Sequence, residues 1–212
     1  MDTAPVRRTI RLVTVASAAL GTVSRIVLSA RAGSPVDIFG YFTVQSNLLV
    51  LVFLLASLVA AATDRPLHLF ARRIHGGVLL SILVTAIIYN ALLAGDVAHG
   101  GFSGFILVVN HTITPVLFLI DWVANHERAR YGLRDVGVWL IYPVAYAVFA
   151  SVEGGITGRF RYFFLDFVNV PLEAYLLQLT GVTLFFFALS ALIVGANRLL
   201  VRRGEVARTG QV

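Results

Sequence analysis

Six long apolar runs, separated by short polar segments, dominate the sequence. A helix crosses the hydrocarbon core of a bilayer with about 20 apolar residues, and each run has roughly that length. The pattern therefore predicts an all-α integral membrane protein that forms a single six-helix transmembrane domain over residues 1–212. The helices are expected near residues 9–30, 38–62, 76–95, 104–124, 135–152 and 175–201, the last of them long enough to tilt or to protrude from the membrane.

The composition fits this class. Hydrophobic residues make up 58% of the 212 positions and charged residues only 13%, whereas soluble domains carry about a quarter charged residues. The chain has no cysteine, which excludes disulfides and thiolate nucleophiles. The first apolar run follows Arg7, Arg8 and Arg11 as in a signal peptide. It is too long for a signal sequence, so we interpret it as a retained first helix.

Arginine placement predicts the orientation. Every basic residue apart from histidine is an arginine, and most of them fall on one side of the predicted membrane. These are Arg7, Arg8, Arg11, Arg65, Arg72, Arg73, Arg128, Arg130, Arg134, Arg198, Arg202, Arg203 and Arg208. The positive-inside rule places that side, and both termini, in the cytoplasm. Membrane topology then explains the excess of positive charge, and we expect no nucleic-acid partner. The residue usage favours a bacterial plasma membrane.

The fourth apolar run contains an ionisable residue. It reads VVNHTITPVLFLIDW, and His111 lies well inside it, where an ionisable side chain is costly and often functional. Pro115, four residues on, has no N–H for the carbonyl of His111. We therefore expect the helix to bend there and to open room beside the imidazole. From this stretch alone, a histidine that simply packs between helices is an equal alternative.

Several polar side chains are expected at the depth of His111. Thr43, Ser46 and Asn47 share one face of the second helix. At 1.5 Å per residue, Thr43 would lie roughly 8 Å and His111 roughly 12 Å inside the outer helix ends. Residues from other helices in the same layer are Tyr89, Asn90 and Tyr146. Their convergence suggests a cavity, although each could instead bond within its own helix or to a neighbouring helix.

Two further charged residues have competing interpretations. Arg25, near the outer end of the first helix, either extends to the headgroups or binds a carboxylate in the cavity. Asp121 lies roughly 15 Å along the helix from His111, too far for a hydrogen bond. It is therefore interpreted as a partner for the inner arginines and not as part of a triad.

No metal site or cofactor is expected. A catalytic zinc needs three protein ligands at one place. His68, His75 and His126 belong to the opposite face of the membrane from His111, and only His99 shares its side.

The long outer connection, residues 154–174, is rich in aromatic residues and reads GGITGRFRYFFLDFVNVPLEA. We expect it to fold back and cover the outer mouth of the bundle. The alternative is an aromatic belt that only anchors the helix ends.

Four short segments, in this order on these helices, resemble a known family. They are Tyr41–Asn47 in the second helix, Asn110–Trp122 in the fourth, Tyr142–Pro143 in the fifth and Arg161–Asp166 in the outer loop. With six helices, the chain resembles the androgen-induced and androgen-dependent membrane hydrolases and their bacterial relatives. It departs from the family around His111, and it has Phe163 where relatives often have a proline.

The resemblance implies an intramembrane hydrolase of fatty acid esters of hydroxy fatty acids or similar lipid esters, with Thr43 as the nucleophile and His111 as its base. Neutral imidazole suits that role near pH 7, and burial keeps it neutral. Candidate donors to the oxyanion are Asn47, Asn90, Tyr89 and Tyr146. No third residue that would orient the imidazole is evident in the sequence, so we expect a dyad of Thr43 and His111, aided by Asn110 or a backbone carbonyl.

The rival hypothesis is a non-catalytic lipid-binding or transport protein with an acyl-chain cavity. Only the enzyme requires the Thr43 hydroxyl within about 4 Å of a His111 nitrogen. A lipid ester would enter laterally from the bilayer, with its tail along the aliphatic stretches Leu48–Leu55 and Val116–Ile120. Arg159 and Arg161 would hold a substrate carboxylate at the headgroup level.

Overall fold

The computed structural model describes residues 4–63, 65, 67, 69–94, 100–125 and 130–209. Within these residues the regular structure is entirely helical. The helices are α1 (Ala4–Arg31), α2 (Phe42–Ala62), α3 (Leu69–Ile88), α4 (Gly101–Val108), α5 (Thr114–Ala124), α6 (Leu133–Thr157) and α7 (Leu172–Thr209). A π-helical turn, Tyr89–Leu93, continues α3, and another, Val109–Ile113, joins α4 to α5.

Six of the described spans are long and apolar enough to cross a membrane, which confirms the predicted class. The fourth span, Gly101–Ala124, consists of α4, the π turn and α5. The start of α1 and the end of α7 lie at one end of the bundle, which we call the termini end. The opposite end carries residues 158–171 and is called the loop end.

The second helix begins later than predicted. Asp37–Gly40 is a 3-10 turn, and α2 starts at Phe42, so the expected start near residue 38 was wrong. The guanidinium of Arg161 packs so tightly on Gly40 that a Cβ there would overlap it. The Gly40 carbonyl also accepts a hydrogen bond of 2.9 Å from the Tyr146 hydroxyl. These contacts hold the backbone away from a helical path, and they place Thr43 in the first turn of α2.

The fifth span ends later than predicted. Its two glycines at 154 and 155 were interpreted as the start of the loop, but α6 continues to Thr157. Gly154 allows the ring of Phe160 to pack directly on the helix, because that ring occupies the space that a Cβ would need. The helix ends at Gly158, whose φ of +70° is a left-handed conformation that favours glycine.

The core lies between α1, α2, α3 and α5. Ala18, Val50, Leu54 and Phe118 are fully buried there, and Trp122 nearly so. In contrast, α7 lies at the side of the bundle, where it packs against α3 and α6. This arrangement leaves a cleft along α7 on the loop side of the core.

At the termini end, a buried ion pair joins α1 to α5. The Arg11 Nε lies 3.3 Å from Asp121 Oδ1, and the Asp121 side chain is inaccessible to solvent. Asn125 donates a second hydrogen bond, of 3.0 Å, to the same carboxylate oxygen. The predicted pairing of Asp121 with an arginine from the termini side is therefore confirmed.

The contact between α1 and the second π turn yields a stability prediction. A methyl group on Gly21 would lie 2.6 Å from Asn110 Oδ1, and that side chain is buried. Overpacking of this kind typically costs about 1–3 kcal/mol. Gly21→Ala is therefore expected to lower the Tm in detergent. Gly181→Ala in α7 is the matched control, because no atom lies within 4 Å of the position that its methyl group would take. Equal loss in both variants would contradict this packing.

Candidate functional site

The first turn of α2 meets the second π turn at the loop end. The Thr43 Oγ1 lies 3.2 Å from His111 Nε2, within hydrogen-bonding distance. The two residues are 68 positions apart in the chain, so the fold alone brings them together. The separation is inside the limit of about 4 Å that a nucleophile and its base require. His111 is buried, with 6% of its surface exposed.

A backbone carbonyl orients the imidazole. The His111 Nδ1 lies 2.8 Å from the carbonyl oxygen of Leu107, one turn earlier. A carbonyl oxygen only accepts hydrogen bonds, so Nδ1 carries the proton. In the neutral ring, Nε2 then presents its lone pair to the Thr43 hydroxyl. This geometry selects the backbone carbonyl over Asn110, the other orienting group that the sequence suggested.

Pro115 and the π turn leave two carbonyls without helical donors. The π register assigns the N–H of residue 115 to the carbonyl of Asn110, and the α register assigns it to that of His111. Two asparagine side chains supply the hydrogen bonds that the missing N–H of Pro115 cannot donate. Asn47 Nδ2 donates to the Asn110 carbonyl at 3.2 Å, and Asn90 Nδ2 donates to the His111 carbonyl at 3.0 Å. The expected opening of the helix at His111 is thus present, and side-chain amides stabilise it.

These bonds assign the asparagines a role different from the expected one. Asn47 also donates to the Thr43 carbonyl, and Asn90 to the Ala86 carbonyl. Asn110 Nδ2 donates to the carbonyl of Ile106, and its amide oxygen faces Gly21. The structure therefore places these three amides on backbone carbonyls, and they hold the helices in position around the imidazole. None of their donors points at the Thr43 hydroxyl.

Tyr89 and Arg25 flank the imidazole. The Tyr89 ring stacks on that of His111, with the ring centroids 3.6 Å apart and the planes inclined by 17°. Tyr89 therefore covers one face of the base and restricts its rotation. The charge of Arg25, on α1, is close enough to act on both rings. Arg25 is half-buried but is not among the described residues that line the cavity, so its contact with a substrate carboxylate stays a prediction.

Two tyrosine hydroxyls lie beside the start of α2. Tyr146, predicted for this layer, donates to the Gly40 carbonyl at 2.9 Å, so its proton is committed to the backbone. The hydroxyl of Tyr162, from the loop, is close enough to the Thr43 and Tyr146 hydroxyls, and to the first backbone N–H groups of α2, those of Phe42 and Thr43, for each of them to affect its pKa. Helix geometry leaves such first-turn N–H groups without helical acceptors.

Tyr162 keeps its proton at neutral pH. Burial is the largest influence on its hydroxyl and raises the pKa, while the neighbouring Thr43 and Tyr146 side chains and the backbone of Phe42 and Thr43 lower it to a smaller extent. It is therefore a neutral donor beside Thr43. Neither Tyr162 nor the two backbone N–H groups were predicted from the sequence. The signal was present in Gly40, a helix breaker immediately before Tyr41–Phe42–Thr43, and in the aromatic loop.

An apolar cavity of about 540 Å³ opens from this site. Its walls come from α3, α6, α7 and the loop, and Thr43, Tyr89, Tyr146 and Tyr162 line its polar end. None of the described residues that line it is charged. Along α7 the lining runs from Tyr175 to Phe187, a rise of roughly 18 Å towards the membrane centre.

The cavity takes a different path from the one predicted for an acyl tail. The cavity points inward as expected, but it does not follow Leu48–Leu55 or Val116–Ile120. Those stretches contribute Val50, Leu54 and Phe118 to the packed core, and none of their residues lines the cavity. The cavity instead uses the looser contact between α6 and α7. Its rim includes residues that are more than half exposed, such as Val148 and Phe187, so it opens sideways, towards the position of lipid.

The loop packs over the mouth of the cavity, as expected. Tyr162, Phe164 and Leu165 form part of the cavity wall. Arg161 fixes the loop in place: it bonds to Glu153 and lies 3.0 Å from Asp37, with only 8% of its side chain exposed. These bonds raise the pKa of Arg161, chiefly through Glu153, so the side chain stays charged.

The expected carboxylate clamp is not what the structure shows. The Arg161 guanidinium is occupied by acidic side chains of the protein itself. Arg159 is exposed, and neither arginine is among the described residues that line the cavity.

Within the described residues, no group of three or more His, Asp or Glu side chains is close enough to hold a metal ion. His68, His99 and His126 lie outside the described residues. His75 is in α3, where it stacks on Phe53 with the ring centroids 4.5 Å apart.

Comparisons of the chain with protein-family models, curated proteins and solved structures found no match. The candidate site therefore rests on its own geometry.

Proposed function

We propose that the chain is an intramembrane hydrolase of lipid esters, with Thr43 as nucleophile and His111 as general base. The observation that carries the proposal is the 3.2 Å contact between Thr43 Oγ1 and His111 Nε2. It occurs at the polar end of an apolar cavity, and the Leu107 carbonyl holds the imidazole in the tautomer that a base requires. The resemblance to membrane ester hydrolases implies the same two residues.

The chemistry follows the usual course of acyl transfer. The Thr43 hydroxyl oxygen attacks the ester carbonyl carbon, and His111 Nε2 takes its proton. The tetrahedral intermediate collapses as His111 returns that proton to the departing alcohol, which leaves an acyl-Thr43 ester. Water, deprotonated by His111, then attacks this ester, and the carboxylic acid leaves as Thr43 regains its proton.

The negative oxygen of each intermediate needs donors. The groups that support this role are the Tyr162 hydroxyl and the backbone N–H groups of Phe42 and Thr43, which meet beside the Thr43 hydroxyl. They replace the asparagine donors suggested by the sequence. Because His111 is buried and the adjoining cavity is lined by uncharged residues, such donors are worth more than they would be in water.

The cavity supports a long acyl chain as the bound part of the substrate. Its volume of about 540 Å³ lies within the range of small-molecule sites. Its uncharged lining suits an alkyl chain, with the ester at the polar end near Thr43. The lateral opening between α6 and α7 would admit such a substrate directly from the bilayer.

The same cavity also suits a protein that only binds lipid, and covalent labelling separates the two functions. A fluorophosphonate probe on membranes containing the protein is expected to modify Thr43, with the adduct located by peptide mass spectrometry. Thr43→Ala should abolish labelling. Thr183→Ala is the matched control, because Thr183 lines the cavity but its hydroxyl bonds to its own helix. Labelling that survives Thr43→Ala would remove Thr43 as the nucleophile.

A further inference from the structure

A second cleft, of about 640 Å³, lies at the termini end of the bundle, far from Thr43. It separates the start of α1 from the end of α2. One wall carries Arg7, Arg8 and Arg11, and the other is the small and apolar end of α2, including Leu58, Val59 and Ala62. The proposed hydrolase chemistry uses none of these residues.

The three arginines are not equivalent. Arg11 is paired with the buried Asp121, and only 15% of its side chain is exposed. Arg7 and Arg8 are exposed, and neither forms a salt bridge with any residue that the structure describes. Asn125 lies beside this part of α1, with its Nδ2 3.5 Å from the Arg7 carbonyl oxygen. The cleft therefore presents two guanidinium groups, and no acidic side chain in the described part of the chain forms a salt bridge with them.

Positive charge and apolar surface adjoin within this cleft. Arg8 and Leu12 are one helical turn apart, so they lie on the same face of α1. Leu12 is 47% exposed and Val59 is 61% exposed, and both line the cleft. A ligand that contacts both walls needs an anionic group to pair with the arginines and an alkyl chain to pack against Leu12 and Val59. A free inorganic anion would use only the first wall.

We propose that this cleft binds an anionic phospholipid, with its phosphodiester on Arg7 and Arg8 and an acyl chain along Leu12 and Val59. Basic pockets between membrane helices bind lipid headgroups in this way. The site lies at the end of a transmembrane span, which is the level of the headgroups in a bilayer. The lipid would bridge α1 and α2 across this cleft and would add stability to the termini end.

The test is a lipid titration of the whole protein in an uncharged detergent, followed by the increase in Tm. Phosphatidylglycerol is expected to raise the Tm saturably, and phosphatidylcholine and inorganic phosphate are expected to have no effect. Arg7→Gln/Arg8→Gln should raise the half-saturating concentration of phosphatidylglycerol by about 25-fold, at about fivefold for each interfacial arginine. Arg202→Gln/Arg203→Gln removes the same charge from the end of α7 and should change it less than twofold.

Three results would overturn the proposal. Equal weakening by the two double variants would show that phosphatidylglycerol responds to overall charge and not to this cleft. Equal stabilisation by phosphatidylcholine would remove the role of the arginines. Equal stabilisation by inorganic phosphate would reduce the site to one for a small anion.

A second variant covers the case in which the Arg7 and Arg8 double variant does not fold. Val59→Asp introduces charge on the alkyl side, and it should abolish the effect of phosphatidylglycerol while leaving both arginines in place. An unchanged response in Val59→Asp would also contradict the proposal. The outcome is independent of the hydrolase activity, which a Thr43→Ala protein would lack while still binding the lipid.

Discussion

Replacing His111 by glutamine is expected to lower kcat for a long-chain ester by about 10³-fold, within the range that a positioned general base contributes. Glutamine lacks a basic nitrogen at the position that lies 3.2 Å from Thr43 Oγ1. Thr43→Ala removes the nucleophile and should reduce kcat at least as much. Since the two residues act in one step, the double variant should be no slower than Thr43→Ala alone. Hydrolysis of a chromogenic acyl ester in detergent micelles provides the measurement.

His75→Gln is the control for loss of a buried histidine. His75 stacks on Phe53 in the core, away from the cavity, so its loss should lower the Tm but leave kcat per folded molecule nearly unchanged. If His111→Gln kept more than a tenth of the activity, His111 would not be the base. Additive losses in the double variant would show that Thr43 and His111 act in separate steps.

The fold was largely predictable because membrane spans are encoded by length and apolarity alone. The errors arose where tertiary contacts override a local pattern. Gly40 ends the turn before α2 because Arg161 and Tyr146 occupy the space around it. Gly154 stays helical because Phe160 packs on it. In both cases the side chain that sets the helix boundary comes from another part of the chain or from beyond the helix end. The hydrophobic periodicity of the sequence does not predict such a contact.

The pair at the centre of the site was predictable for a different reason. A histidine inside an apolar run, with a proline four residues later, is energetically costly in a membrane span. Such a residue therefore often has a functional role. Its depth could be matched with Thr43 from the helix rise alone. The donors were not predictable in this way. The sequence suggested that asparagine side chains donate hydrogen bonds to the oxyanion of the substrate. In the structure, Asn47 and Asn90 donate instead to the backbone carbonyls that Pro115 leaves without a donor.

The start of α2 illustrates how one boundary changes the chemistry. If α2 began near residue 38, the N–H groups of Phe42 and Thr43 would be bonded within the helix. Because the helix begins at Phe42, those two groups have no acceptor within the helix and lie near the Tyr162 hydroxyl. An N-terminal helix boundary is among the least certain features of a sequence-based assignment. Here it decides whether backbone donors are present at the site.

The loop tyrosine provides the sharpest remaining test of the mechanism. Tyr162→Phe is expected to lower kcat by about 10²-fold, because loss of one donor to an oxyanion costs about 10²–10³-fold. KM should change little, since the hydroxyl would bond more strongly to the negative oxygen of the intermediate than to the neutral ester. Tyr175→Phe is the matched control: Tyr175 lines the same cavity, its ring packs against Phe167, and its loss should lower kcat less than threefold. A Tyr162→Phe enzyme with normal kcat and a raised KM would assign Tyr162 to substrate binding. Equal losses of kcat in the two variants would show that the Tyr162 hydroxyl has no special role in catalysis. The backbone N–H groups of α2 would then be the only donors to the oxyanion.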